Sequence, residues 1–199
     1  KKYFCDENGN FSKSPKNLAN KNLQKVANEY IDNLKKISNN SERVTDKLPI
    51  NFKLIGLIKL MLPDSKIIHC TRNPKDVCFS IYKNYFINPN LSFAYNLDEI
   101  VEYYILYNDL MCHWKNVIKD FVIDIKYEEL ISNPETKIRN LLKKCNLTWN
   151  KNCLTFYRNK RPIKTASDVQ VRKKIYKSSI NSWNNFEDNL INHFSKLPD

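Results

Sequence analysis

Glycine is almost missing from this chain, with two residues, Gly9 and Gly56, in 199. A loop that wraps a phosphate in backbone amides needs glycine where the main chain comes close. Gly9 reads as part of a polar turn and Gly56 as part of an apolar helix, so no glycine-rich phosphate loop occurs. The six cysteines, Cys5, Cys70, Cys78, Cys112, Cys145 and Cys153, form no C-x-x-C pair. Most lie in apolar periodic stretches, which predicts reduced core residues rather than ligands or a disulfide frame. His69, His113 and His193 stand far apart without paired ligands, so metal chemistry finds no support. No run of about 18 apolar residues exists, which predicts no membrane span, and no signal-peptide pattern opens the chain. Nucleophile-elbow and H-E-x-x-H patterns are also lacking, as are internal repeats.

Charge is plentiful and one-sided. Thirty-three basic residues against 21 acidic ones give a formal charge of +12, which favours a polyanionic partner. Abundant Lys, Asn, Ile and Tyr also fit an AT-rich coding bias, under which many surface lysines carry no function. A hydrophobic content of 42% suits a globular fold, and no linker interrupts it, so residues 1–199 read as a single domain.

Apolar residues at helical spacing predict a helix over Leu18 to Ile37. A strand at Arg43 to Asp46 follows, then a helix over Phe52 to Leu62 that is apolar on nearly every side and is expected deep against a sheet. A second strand covers Lys66 to Thr71, a helix Lys75 to Tyr85, a long helix Leu97 to Val117, and a third strand Phe121 to Lys126. Asn133 followed by Pro134 starts another helix, running to about Cys145. This alternation predicts an α/β fold with a parallel sheet covered on both faces. Lys47, Arg72 and Tyr127 then fall at carboxyl ends of strands, where such sheets bind ligands.

The most informative segment is Ile67-Ile68-His69-Cys70-Thr71-Arg72-Asn73-Pro74-Lys75-Asp76-Val77-Cys78-Phe79-Ser80. It reads as a strand entering a helix, with Asn73 as cap and Pro74 as first helical residue, so that backbone donors and the positive dipole end face whatever Arg72 holds. Ser80 follows two turns on, and the two side chains are candidates to share one phosphate. The alternative makes Arg72 a helix-start salt bridge and Ser80 a packing residue. Lys47 is either a point charge at the same crevice or a solvated lysine. Tyr127 either presents its ring to a nucleotide or caps a turn. The basic, hydroxyl-rich stretch Arg161 to Trp183 breaks the rhythm and reads as a long loop, either functional or disordered.

These residues resemble the sulfotransferases that use 3′-phosphoadenosine 5′-phosphosulfate, and within them the tyrosylprotein-sulfotransferase-like group often joined to tetratricopeptide repeats in bacteria. The resemblance covers roughly Val44 to Trp183. It implies a three-layer P-loop-NTPase-like fold, with Arg72 and Ser80 on the 3′-phosphate and Lys47, in Thr45-Asp46-Lys47-Leu48-Pro49, as the catalytic lysine. Tyr127 matches a nucleotide-contacting tyrosine and Ser167 a serine assisting the transferring sulfonate. Gln170, Val171, Lys173 and Tyr176 fall in the stretch that contacts the cofactor. Two family positions differ, a second arginine being Asn84 here and a late lysine Ser182. The family's first strand, phosphosulfate loop and general-base glutamate do not precede Lys47, so the sequence is expected to be amino-terminally truncated and to turn over little alone.

The resemblance implies sulfonate transfer to an acceptor hydroxyl on a peptide, saccharide or small molecule, without a metal, and a cytoplasmic protein with no nucleic-acid partner. Charge stabilisation and positioning would dominate, as in phosphoryl transfer. A non-enzymatic alternative is a single-stranded nucleic-acid-binding module built from Arg158 to Lys177, with Tyr157 and Tyr176 as stacking rings. A nucleotide kinase of related sheet architecture is a further reading, with no Walker-type lysine to support it.

Overall fold

The computed structural model describes residues 20–159 and 172–198. The chain divides into two compact units, Lys1–Ser65 and Lys66–Asp199.

In the first unit, helix α1 spans Asn20–Ser38, with Leu23 and Ala27 buried and Lys35 and Lys36 in its last turn, where the helix dipole favours cations. It stops at Asn39 and Asn40, both in the left-handed region at φ 50° and 57°. Asparagine enters that region more readily than other residues with a side chain, so it takes the place of a terminating glycine. The Tyr30 hydroxyl donates to Asp46 Oδ2 at 2.7 Å. Burial, followed by that bond, pushes the Tyr30 phenol up to about 12.

Arg43 to Asp46 is irregular and not a strand. A strand needs a ladder partner, and among the described residues the ladder lies entirely in the other unit. A 3-10 turn, Pro49–Leu54, leads into α2, Ile55–Met61. Of α2 only Ile55 is buried, while Leu60 is 62% exposed. The expected deep helix is therefore a shallow one.

The second unit is built on two parallel strands, β1 (Ile67–Thr71) and β2 (Val122–Lys126), in register from Ile67 opposite Val122 to Thr71 opposite Lys126. Between them run α3 (Pro74–Tyr82), a 3-10 segment Pro89–Tyr95, and α4 (Leu97–Val117). After β2 come α5 (Tyr127–Ser132), α6 (Pro134–Lys144) and a 3-10 segment Lys151–Arg158; near the carboxyl terminus lie a 3-10 turn, Ser182–Phe186, and α7 (Glu187–Phe194). Asparagine side chains start α3 and α4: Asn73 accepts from the Lys75 and Asp76 amides, Asn96 from those of Asp98 and Glu99.

The core of this unit joins α3, α4 and the carboxyl-terminal elements through Cys78, Phe79, Ile100, Val101, Trp183, Leu190, Phe194 and Leu197. Phe194 is 1% exposed and meets the Trp183 ring edge-on at 6.2 Å. This packing fixes the late chain against α3. Laterally paired residues of a parallel ladder share a face, so His69 and Asp124 lie on one side and Ile68, Cys70, Ile123 and Ile125 on the other. The first side meets α4 through hydrogen bonds. On the second, Ile68 remains 43% exposed, short of the complete cover expected for a parallel sheet. Cys78 is fully buried, and burial pushes its thiol up to about 12. Cys70 and Cys112 are exposed, contrary to a core role: Cys70 sits on the open face of the sheet.

Candidate active site

β1 and β2 are neighbours, so the residues just past their carboxyl ends, Arg72 and Tyr127, are brought together. The Arg72 guanidinium lies over the Tyr127 ring at 5.0 Å, a cation on a ring's negative face. Both reach the same partner in the late chain. Arg72 Nη2 donates to the Ser179 carbonyl, and the Tyr127 hydroxyl and Ser179 Oγ are 2.7 Å apart. Nη2 also lies 3.5 Å from Asp76 Oδ2, an i, i+4 ion pair at the start of α3. The salt-bridge reading of Arg72 is thus part of the structure.

Asp76 is fully buried. Its Oδ2 accepts the Asn181 amide at 2.7 Å, and its Oδ1 accepts the Ser182 hydroxyl at 3.1 Å and the Trp183 amide at 3.3 Å. One carboxylate on α3 therefore holds the beginning of a turn more than a hundred residues away.

The amino terminus of α3 does not present open amides to a guest. Pro74 has no N–H, and the Lys75 and Asp76 amides go to Asn73 Oδ1 at 3.0 and 3.2 Å. The Asn73 amide goes to Glu128 Oε1 at 2.8 Å, and Glu128 places its own negative charge by the positive dipole end. Any anion held at this point is held by side chains. Among the described residues two buried polar atoms here have no partner, the donor Arg72 Nε and the acceptor Glu128 Oε2.

The other sequence candidates are more scattered. Ser80 is four residues beyond Asp76 and so on the same face of α3, but among the described residues its hydroxyl has no hydrogen bond to Arg72. Asn84, at the position where the resemblance expects an arginine, donates its amide to the Ser80 carbonyl at 2.6 Å. Lys47 is exposed in the irregular stretch before Pro49, in the first unit, and not at a strand end. Lys173 and Tyr176 are exposed. Ser167, Gln170 and Val171 lie outside the described residues. Tyr157, proposed as a stacking ring, has the cations Arg158 and Lys174 at 6.0 and 5.9 Å from its centre.

Sequence reasoning missed Asp76, Glu128, Ser179, Asn181 and Ser182. Only Asp76 left a signal, its spacing of four from Arg72, which suits an acid paired with a base on one helical face.

A separate polar cluster sits between the sheet and α4. His69 Nδ1 and Asp124 Oδ1 are 2.6 Å apart across the ladder, Lys115 Nζ reaches Asp124 Oδ2 at 2.8 Å, and His69 Nε2 meets the Tyr107 hydroxyl. The carboxylate can only accept, so Nδ1 carries a proton. Partial burial raises the Asp124 carboxyl, but hydrogen bonds from Lys115 and His69 outweigh it and hold the group below the usual carboxylate range. Burial, with smaller repulsion from neighbours, pushes the Tyr107 phenol up to about 12. The Tyr107 ring also meets that of Tyr104 edge-on at 5.4 Å, and the geometry of the cluster is that of a clamp between helix and sheet.

Residues 5–151 match the family model described as "Sulfotransferase family". A protein of Aquifex aeolicus (strain VF5), described as uncharacterized, is 39% identical over 170 residues, which cover 84% of this chain and 22% of that protein. The chain thus spans about a fifth of this curated relative's length. Among solved structures, a sulfotransferase domain from the curacin biosynthetic pathway superposes with a TM-score of 0.54 at 15% identity, over 85% of this chain and 68% of that one. The likeness establishes the fold, an α/β sulfotransferase architecture with a parallel sheet and flanking helices.

Proposed function

The chain belongs to the sulfotransferase family, and from that premise we propose that it takes part in moving a sulfonate from 3′-phosphoadenosine 5′-phosphosulfate to an acceptor hydroxyl. The observation that carries the reading is the pairing of Arg72 with Tyr127 at the carboxyl ends of adjacent strands, inside the matched region. Arg72 holds the donor's 3′-phosphate, with Ser80 on the helix that follows it, and Tyr127 lines the nucleotide. When bound, the donor supplies the activated sulfonate.

Lys47 neutralises charge that builds on the leaving oxygen, and Ser167 hydrogen-bonds beside it. Gln170, Val171, Lys173 and Tyr176 contact the nucleotide from the late loop. No metal ion is needed, and among the described residues no cluster of metal-ligating side chains occurs. We further propose a tyrosylprotein-like subgroup acting on a peptide tyrosine, a single sulfotransferase domain over residues 1–199, and a cytoplasmic location.

Titration calorimetry of the chain with adenosine 3′,5′-bisphosphate tests the reading. Saturable binding, tighter than for adenosine 5′-monophosphate, is expected. Equal affinity for the two would remove the 3′-phosphate site, and salt-sensitive binding to single-stranded oligonucleotides without it would favour the nucleic-acid alternative.

A further inference from the structure

We propose that Asp76 is a positioning residue for the donor's 3′-phosphate, acting through Arg72 and the tail segment Ser179–Trp183. The inference rests on the role given above to Arg72.

A carboxylate removed from water requires compensating charge and hydrogen bonds. Among the described residues Asp76 is the one charged side chain that is fully buried. Its compensation comes from a single guanidinium just before its helix and three donors on the late chain. The tail donors lie 105 to 107 residues away in sequence. Asp76 is thus where the strand-to-helix segment bearing Arg72 and the start of the Ser182–Phe186 turn are locked to each other.

The lock has a consequence for Arg72. Nη2 is shared between Asp76 Oδ2 and the Ser179 carbonyl, while the guanidinium carbon lies over the Tyr127 ring at 5.0 Å. Two fixed acceptors on one nitrogen and a ring beneath set the direction of the fork. Among the described residues Nε is buried without a partner, while the Arg72 side chain as a whole is 20% exposed, and its exposed part is what an incoming phosphate oxygen can reach. Asp76 itself touches no ligand, since it has no exposed surface. Its contribution is to commit one nitrogen of the guanidinium so that the rest is aimed.

A purely structural acid would weaken binding of every nucleotide together, whereas a positioning acid acts on the 3′-phosphate alone. The test is therefore a ratio. Affinities of the full chain for adenosine 3′,5′-bisphosphate and adenosine 5′-monophosphate are measured in the wild type, Asp76→Asn and Arg72→Ala. Asp76→Asn is expected to weaken the bisphosphate by about tenfold or more, as for a disrupted charged hydrogen bond, while the monophosphate changes by less than about twofold. An unchanged ratio in Asp76→Asn, with the preference abolished in Arg72→Ala, overturns this inference and leaves the reading of Arg72 intact. A wild type without preference overturns both. Should circular dichroism show Asp76→Asn unfolded, Ser182→Ala keeps the carboxylate and removes one tail donor. It is expected to lower the ratio by about threefold, a lost neutral hydrogen bond, and an unchanged ratio there counts against the proposal.

Discussion

Replacing Phe194 by alanine should loosen the late chain that holds the Arg72 region. Phe194 is 1% exposed, lies in the cluster that unites α3, α4 and the carboxyl-terminal elements, and meets the Trp183 ring at 6.2 Å. Phenylalanine-to-alanine changes in well-packed cores cost about 3–5 kcal/mol through lost transfer energy and the residual cavity. The edge-on contact with Trp183 contributes about 1 kcal/mol of that. Taking about 4 kcal/mol, and a urea m-value of about 2 kcal/mol/M, the unfolding midpoint falls by about 2 M. Urea titration followed by tryptophan fluorescence reads this directly. Because the Trp183 amide bonds Asp76, nucleotide affinity should fall before the midpoint, under conditions where the chain is still folded. A midpoint shift below about 0.5 M at unchanged slope would mean that α7 is not part of this core.

Three further outcomes follow from other contacts. Asp124 has its carboxyl raised by partial burial but held below the usual carboxylate range by Lys115 and His69, so the unfolded chain takes up that proton at higher pH than the folded one. Its stabilisation is complete above the ordinary carboxylate range and disappears as pH falls through the lower folded value. Asp124→Asn should flatten the acid limb of a stability-against-pH curve, by about 1 kcal/mol or less because the side chain is half exposed; an identical limb would contradict the clamp. The Cys78 thiol, buried and pushed up to about 12, should resist a thiol reagent until the chain unfolds, while Cys112 reacts at once; mass spectrometry of partly labelled protein distinguishes them, and early labelling of Cys78 would refute the core placement. Tyr127→Phe keeps the ring under Arg72 but loses the bond to Ser179, so nucleotide affinity should drop by about threefold to tenfold, and less than in Tyr127→Ala. Equal losses in the two variants would show that the ring contributes nothing.

The elements legible in the sequence were those with local causes. Asn73-Pro74 and Asn133-Pro134 mark helix starts because a cap and a fixed φ act within one turn, and Ile67–Thr71 reads as a strand from its own residues. Arg43 to Asp46 misled, since a stretch of chain becomes a strand only with a partner, and composition does not reveal one. The short helix Tyr127–Ser132 went unread, because six residues carry too little periodicity to register.

Within the site, Arg72 and Tyr127 were visible as strand-end residues. Asp76 as an anchor was not, because its partners Asn181, Ser182 and Trp183 meet it only after the core has folded. The error at the start of α3 is partly local, because the Asn73 side chain that caps the helix takes the Lys75 and Asp76 amides itself; the rest is long-range, since the Asn73 amide goes to Glu128, which arrives from after β2.

The central claim is that the Arg72 guanidinium holds a nucleotide's 3′-phosphate. Calorimetry of Arg72→Ala with adenosine 3′,5′-bisphosphate, referenced to adenosine 5′-monophosphate, tests it most directly. The account predicts a loss of about 2 kcal/mol or more for the bisphosphate, the worth of a charged hydrogen bond, and little change for the monophosphate. An unaltered affinity for the bisphosphate in the folded variant would contradict it.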